Sequence, residues 1–178
     1  MSWSRTSALF LLLSLVVLTT SACTGFRPLY ARDAGGSVAA IEMAKIEIGL
    51  IPDRPGQQLR NNLLDLMNPR GEPGAPSYRL NVSLSLSTEG LGLRKSGFAT
   101  RANLHANASL TLVDAKTGKT LLTGSHRIIG GYDLLDSEFA TLASEKYVQA
   151  RTMVELAHAI RTQVSVFFLQ RAERTKRP

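Results

Sequence analysis

Few residues in this chain are of a type that does chemistry, and they are scattered. There is one cysteine, Cys23, and there are three histidines, His105, His126 and His158. A cysteine nucleophile needs a base held beside it by a fold, and the 22 residues before Cys23 supply none. A disulfide has no second thiol within the chain, and no residues stand at metal-ligand spacing. The stretch "GLGLRKSG", Gly90 to Gly97, is rich in glycine. It lacks both the Lys-Ser/Thr ending and the following helix of a phosphate loop. No Ser, His and acidic residue stand in a motif that suggests a triad. The chain reads as non-enzymatic, with no metal site and no cofactor.

What remains for Cys23 is modification. Arg5 and the N-terminal amine form a short positive region, and an apolar run of eleven residues, Ala8 to Leu18, follows it. That length fits a signal segment and falls short of the about 20 residues a membrane-spanning helix needs. Ser21 and Ala22 then precede Cys23. This is the pattern of a bacterial lipoprotein signal, in which the thiol receives diacylglycerol, the chain is cut before the cysteine, and the new amine is acylated. Thr20 departs from the pattern, where an aliphatic residue is usual. The alternative is an ordinary cleaved secretory signal with an incidental cysteine. Several acyl chains hold a protein stably on a bilayer. Thr24 in place of Asp points to the inner leaflet of the outer membrane, with the domain on the periplasmic side.

The chain carries 21 Lys and Arg, of which only Arg5 lies in the leader, against 14 Asp and Glu, so the remainder carries +6. That balance suits an acidic partner. A periplasmic address excludes nucleic acid and favours anionic lipid or an acidic glycolipid. With no cysteine pair, stability must come from a packed core, which a chain of this length can supply.

The elements that must position any site follow from periodicity. We divide the chain into a signal peptide at 1–22, a lipidated tether at 23–40, one domain at 41–171 and a charged tail at 172–178. A first strand is expected near Ile41–Leu50, where Ile46, Ile48 and Leu50 alternate with polar or small residues. A helix from about Gly56 to Met67 places Leu59, Leu63, Leu66 and Met67 on one face, with Pro55 in its first turn. The strand Tyr78–Ser87 alternates strictly, and after a turn region at 88–98 a further strand does the same. "DAKTGKT" is a hairpin signal with Gly118 in the left-handed position of a bulge. Its register pairs Leu112 with Leu122, Ala106 with Ile128, Ala102 with Tyr132 and Ala115 with Lys119. Ser137 to about Arg171 is one long amphipathic helix. Its apolar stripe holds Phe139, Leu142, Ala143, Tyr147, Ala150, Met153, Val154, Ala157, Ile160, Val164, Phe167 and Phe168. Each clear strand has one apolar face, so both helices must cover the same side. The expected fold is a two-layer α+β sandwich: a four-stranded, mostly antiparallel sheet with two helices on one face, in the order β-α-β-β-β-α.

On this frame His126 faces the core, His105 the polar side and His158 the edge of the helix stripe, so no two share a site. The basic residues form two clusters at opposite ends of the middle strand: Arg94, Lys95 and Arg101 at one, Lys116 and Lys119 at the other. They are either solvated loop charge or a grip on the phosphates of an acidic glycolipid, which Arg can bind in bidentate fashion. The exposed sheet face carries Asn81, Ser83, Ser85, Asn103, Asn107 and Ser109 and is polar yet almost uncharged. Either it is a soluble face of good strand formers, or it is built for close, hydrogen-bonded contact with another polar wall.

"CTGFRPLY" after the signal, "GQQLRNNLLDLM", "YRLNVSLSLS", "ANLHANASLTLVDAKTGKTLLTG" and "GGYDLLDSEFATLASEKYVQARTMVELAHAI" stand in an order and spacing that resemble the lipopolysaccharide-assembly lipoprotein family LptE, in its alphaproteobacterial form. The resemblance covers nearly the whole chain after the leader. It implies an outer-membrane lipoprotein that plugs and helps assemble the β-barrel LptD and binds lipopolysaccharide on its way to the cell surface, without catalysis. An alternative from another class is an accessory lipoprotein of an ABC-type envelope lipid transporter, which would share the leader and an α+β domain.

Overall fold

The computed structural model describes residues 38–93 and 99–176. Within them the elements run α1 (Val38–Met43), β1 (Ile46–Ile48), α2 (Asp53–Met67), β2 (Tyr78–Leu93), β3 (Ala99–Asp114), β4 (Thr120–Asp133) and α3 (Glu138–Lys176). The sheet order is β1-β2-β3-β4. β1 pairs parallel to β2, and the other pairs are antiparallel. The helices lie on one face, which gives the expected α+β sandwich with one short helix added in front.

That helix corrects the expected first strand. Val38–Met43 is helical, and the strand proper is only three residues long. The stretch "VAAIEM" has the Ala, Glu and Met of a helix former and little β-branching. Ile46 and Ile48 are buried as the alternation requires, but Leu50 is 88 % exposed because the strand ends before it. Residues 38–40, expected as tether, belong to α1, and Ala39 is fully buried. Tyr78 Oη donates to Glu42 at 2.9 Å, which ties α1 to the start of β2.

α2 begins three residues earlier than its apolar spacing suggested, and Leu59, Leu63 and Met67 are buried on one face. Asn68 closes it: its Nδ2 donates to the Ile46 carbonyl at 3.2 Å, so the helix end is fastened to β1.

β2 and β3 are each 16 residues long. Thr88–Leu93, expected as turn, continue β2 and pair with β3. Leu112–Leu122, Ala106–Ile128 and Ala102–Tyr132 pair as the hairpin register requires. A bulge follows Leu112, so the Asp114 N–H donates to the Lys119 carbonyl and the expected Ala115–Lys119 pair does not form. Gly118 has φ +68°, the left-handed conformation that glycine adopts without strain.

The core lies between sheet and helices, where Leu80, Leu110, Leu112, Leu59, Leu63, Met153, Leu156, Ile160 and Val164 are almost wholly buried. Each such side chain contributes about 1.5–3 kcal/mol of burial. α3 runs 39 residues, about 58 Å at 1.5 Å per residue. It continues through Lys176, so much of the stretch expected as a tail is helical. Val148 packs its first half on the sheet, but the apolar stripe is covered only from Met153 onward, and there in part. Met153, Ala157, Ile160, Val164 and Phe168 are buried, whereas Phe139 is 82 % and Tyr147 70 % exposed. Leu142, Ala143, Ala150 and Val154 are exposed as well. The apolar stripe is continuous, but α2 is too short to cover all of it.

Candidate functional site

The polar sheet face is built by alternation on three long strands. Asn81 stands opposite Thr111, Ser83 opposite Ser109, and Ser85 opposite Asn107; Ser109 in turn meets Ser125, and Thr111 meets Thr123. Asn103 lies on the same side, opposite Glu89 and Gly131. All six proposed contact residues, Asn81, Ser83, Ser85, Asn103, Asn107 and Ser109, therefore share one surface. Asn81, Ser83, Ser85 and Ser109 are exposed, and Asn103 and Asn107 are half-buried by their neighbours.

The face carries more charge than its neutral residues suggested, and most of it has a partner within the chain. Arg79 Nε donates to Glu47 Oε2 at 3.0 Å. His105 Nε2 lies 3.1 Å from Glu89 Oε2. Arg101 Nε lies 3.6 Å from Asp133 Oδ1. Arg127 stands further in, and its Nε donates to Asn107 Oδ1 at 2.7 Å. These residues have the parity of the polar face, and Glu47 and Arg79 are in direct register. Sequence parity places them on this face but does not pair them. Short hydroxyls and amides fill the face from Asn81 to Ser109, His105 and Arg127 stand beside them, and among the described residues Arg127 meets an amide and no carboxylate. Ile129, 53 % exposed, is an apolar side chain on the same face.

The histidines are separate, as expected. His126 faces the helices, and its Nε2 meets Gln163 Oε1 at 2.7 Å. His158 is exposed on α3. Among the described residues no group of three His, Cys, Asp or Glu could hold a metal ion.

Of the basic clusters, Lys116 and Lys119 are exposed in the β3–β4 turn. That turn is held by Asp114, whose Oδ1 accepts from the N–H groups of Lys116 and Thr117 at 3.0 and 2.9 Å. Those bonds hold the Asp114 carboxyl below its ordinary range. Arg101 is at the far end of β3, and its charge is met by Asp133. Arg94, Lys95 and Cys23 lie outside the described residues. No described helix is long and apolar enough to cross a membrane.

No protein-family model matches the sequence, and no curated protein matches it. Solved structures do share the fold. A candidate lipoprotein from Caulobacter crescentus aligns with TM-score 0.61 at 24% identity, over 75% of this chain and 96% of that one. Lipoprotein B from Nitrosomonas europaea aligns with TM-score 0.55 at 18% identity, over 68% and 82%. Rare lipoprotein B from Shewanella oneidensis aligns with TM-score 0.50 at 14% identity, over 74% and 95%. The fold is therefore one found among bacterial lipoproteins.

Proposed function

We propose that this chain is a lipid-anchored protein of the outer membrane, held by acyl chains on Cys23, that plugs and helps assemble the β-barrel LptD and binds lipopolysaccharide during its delivery. One observation carries this reading: a broad sheet face on which short neutral polar side chains predominate and Arg79 and Arg101 are matched by Glu47 and Asp133. Such a surface binds another polar wall without stranding a charge away from water. The fold shared with bacterial lipoproteins and the sequence motifs similar to the LptE family support it. The basic balance supports the acidic glycolipid. Purification of the full lipidated chain from its own membranes in mild detergent tests the reading. Recovery of one large outer-membrane barrel is expected. Recovery of ABC-transporter components, or of no barrel, overturns it.

A further inference from the structure

On the helix side of the sheet, the chain between β4 and α3 meets the first two turns of α3. There it forms an open groove of about 350 Å³ lined by Leu134, Leu135, Glu138, Thr141, Leu142 and Glu145. Three leucines make most of its surface apolar, beside Glu138, Thr141 and Glu145. Leu135 is 53 % and Leu142 47 % exposed, although both are leucines. Hydrogen bonds tie its loop to the sheet and to α3. The Leu134 N–H donates to the Thr100 carbonyl at 3.0 Å. The Leu135 N–H donates to Thr141 Oγ1 at 2.9 Å, and that hydroxyl donates back to the Leu135 carbonyl at 3.2 Å.

The rim decides what could fill it. Residues 133–146 hold Asp133, Asp136, Glu138 and Glu145 against one basic residue, Lys146. Asp133 is met by Arg101. Among the described residues, no ion pair engages Glu138 or Glu145. A groove with leucines inside and two carboxylates at its edge repels anionic lipid headgroups, although the domain as a whole is basic. It complements the reverse pattern.

We infer that this groove docks a segment of a partner polypeptide that carries a large apolar side chain flanked by Lys or Arg. The apolar side chain covers Leu135 and Leu142, and the flanking cations meet Glu138 and Glu145. Such a contact combines a desolvated anchor with a charged rim, the usual arrangement of a small recognition site. The inference stands apart from the barrel reading, because the groove and the polar sheet face are on different sides of the domain.

The test uses the full lipidated chain in its own membranes with a photocrosslinking amino acid, p-benzoylphenylalanine, at position 142 or, separately, at position 85. Mass spectrometry maps the peptide captured at each. At position 142 we expect a partner peptide with an apolar residue flanked by Lys or Arg. Adding Glu138→Gln and Glu145→Gln should cut that crosslink by about tenfold, since each exposed ion pair is worth a fraction of a kcal/mol to about one. The position 85 crosslink and the melting temperature should stay unchanged. The inference is overturned by capture of lipid, of a second copy of this chain or of its own N-terminal segment. It is also overturned by a captured peptide without basic residues, by a yield indifferent to the two substitutions, or by no crosslink at position 142. Loss of the position 85 crosslink alone would count against the barrel reading and leave the groove intact.

Discussion

Ser85→Arg separates recognition from folding. Ser85 is exposed, and across the sheet it stands opposite Asn107, which stands opposite Arg127. Strands lie about 4.8 Å apart, so two strand steps put the backbones of positions 85 and 127 about 10 Å apart. Two like charges at that distance in water repel by about 0.4 kcal/mol, and salt screens this further. For a domain of this size the melting temperature should fall by only about 1–2 °C. In the proposed complex the new cation meets a neutral wall and loses water without gaining a partner. That should cost about 2–4 kcal/mol, roughly a 30- to 1000-fold loss of affinity. Asn107→Glu is the informative contrast. Arg127 Nε already donates to Asn107 Oδ1 at 2.7 Å, so a carboxylate there acquires a counter-charge at once. Its effect on the complex should be much smaller than that of Ser85→Arg. Circular dichroism melts and the yield of barrel co-purified from membranes give both quantities. Wild-type yield with Ser85→Arg refutes the interface. A drop in melting temperature beyond about 5 °C refutes the separation of recognition from folding.

Cys23→Ser should abolish lipidation, and metabolic labelling with a clickable fatty acid checks this: label on wild type and none on the variant. Binding of soluble domain to lipopolysaccharide should weaken as salt rises; replacing one basic set with Gln (Arg94, Lys95 and Arg101, or Lys116 and Lys119) should cost far more than replacing the other, since the sets lie at opposite ends of β3. Equal small losses would reduce the binding to nonspecific attraction. Gly130→Val should destabilise by about 1–3 kcal/mol, because a β-carbon there would run into the side chains of Val148 and Thr152 on α3; an unchanged melt would show that α3 is free to shift. The contact between α1 and β2 should set limits at both ends of the pH range. Burial would push Glu42 up, but the hydrogen bonds from Lys45 and Tyr78 outweigh it and hold the carboxyl below its usual 4.5. That contribution is complete above the unfolded pKa and is lost as pH falls through the folded one. Burial and the bond to Glu42 raise Tyr78 above 10.0, so its contribution is complete below 10.0 and is lost as pH rises through the higher folded value. Tyr78→Phe should flatten the alkaline loss and part of the acid loss in stability measured against pH.

The long strands were legible because a period of two leaves no freedom. Once Tyr78, Leu80 and Val82 point inward, Arg79, Asn81 and Ser83 must point out, and a one-residue slip would bury every serine. The β3–β4 register followed from the turn chemistry of Gly118 for the same reason, up to the bulge that shifts its last pair. Other features left no such trace. α1 is six residues long, too short for its spacing to stand out from the neighbouring alternation. The exposed start of the α3 stripe was invisible because amphipathicity tells which face is apolar, not how far the neighbour extends. Phe139 and Met153 belong to the same stripe, and only the end of α2 separates their fates. The rim pairs of the sheet face needed a register before Glu47 could be set against Arg79.

The fold puts its stability and its proposed recognition on different surfaces, and this has a physical consequence. The buried side chains lie between sheet and helices, and the polar face contributes hydroxyls and amides that water satisfies as well as a partner does. Deleting one of them should therefore change stability by tenths of a kcal/mol, within the range of ordinary surface substitutions. An added charge with no hydrogen-bond partner costs such a face more, because a contact surface loses its water when it binds. Arg79 and Arg101 avoid that cost, because Glu47 and Asp133 answer each one within the same chain. A partner then meets a surface on which these charges are already internally paired. In the proposed complex, association should depend on many short hydrogen bonds and on shape, and should be far less sensitive to salt than binding of an acidic lipid to either basic cluster. The two interactions can be told apart by ionic strength alone. High salt should release lipopolysaccharide and leave the complex with the barrel intact. Release of both together would mean that the sheet face binds through its charges and that their pairing within the chain has no role in recognition.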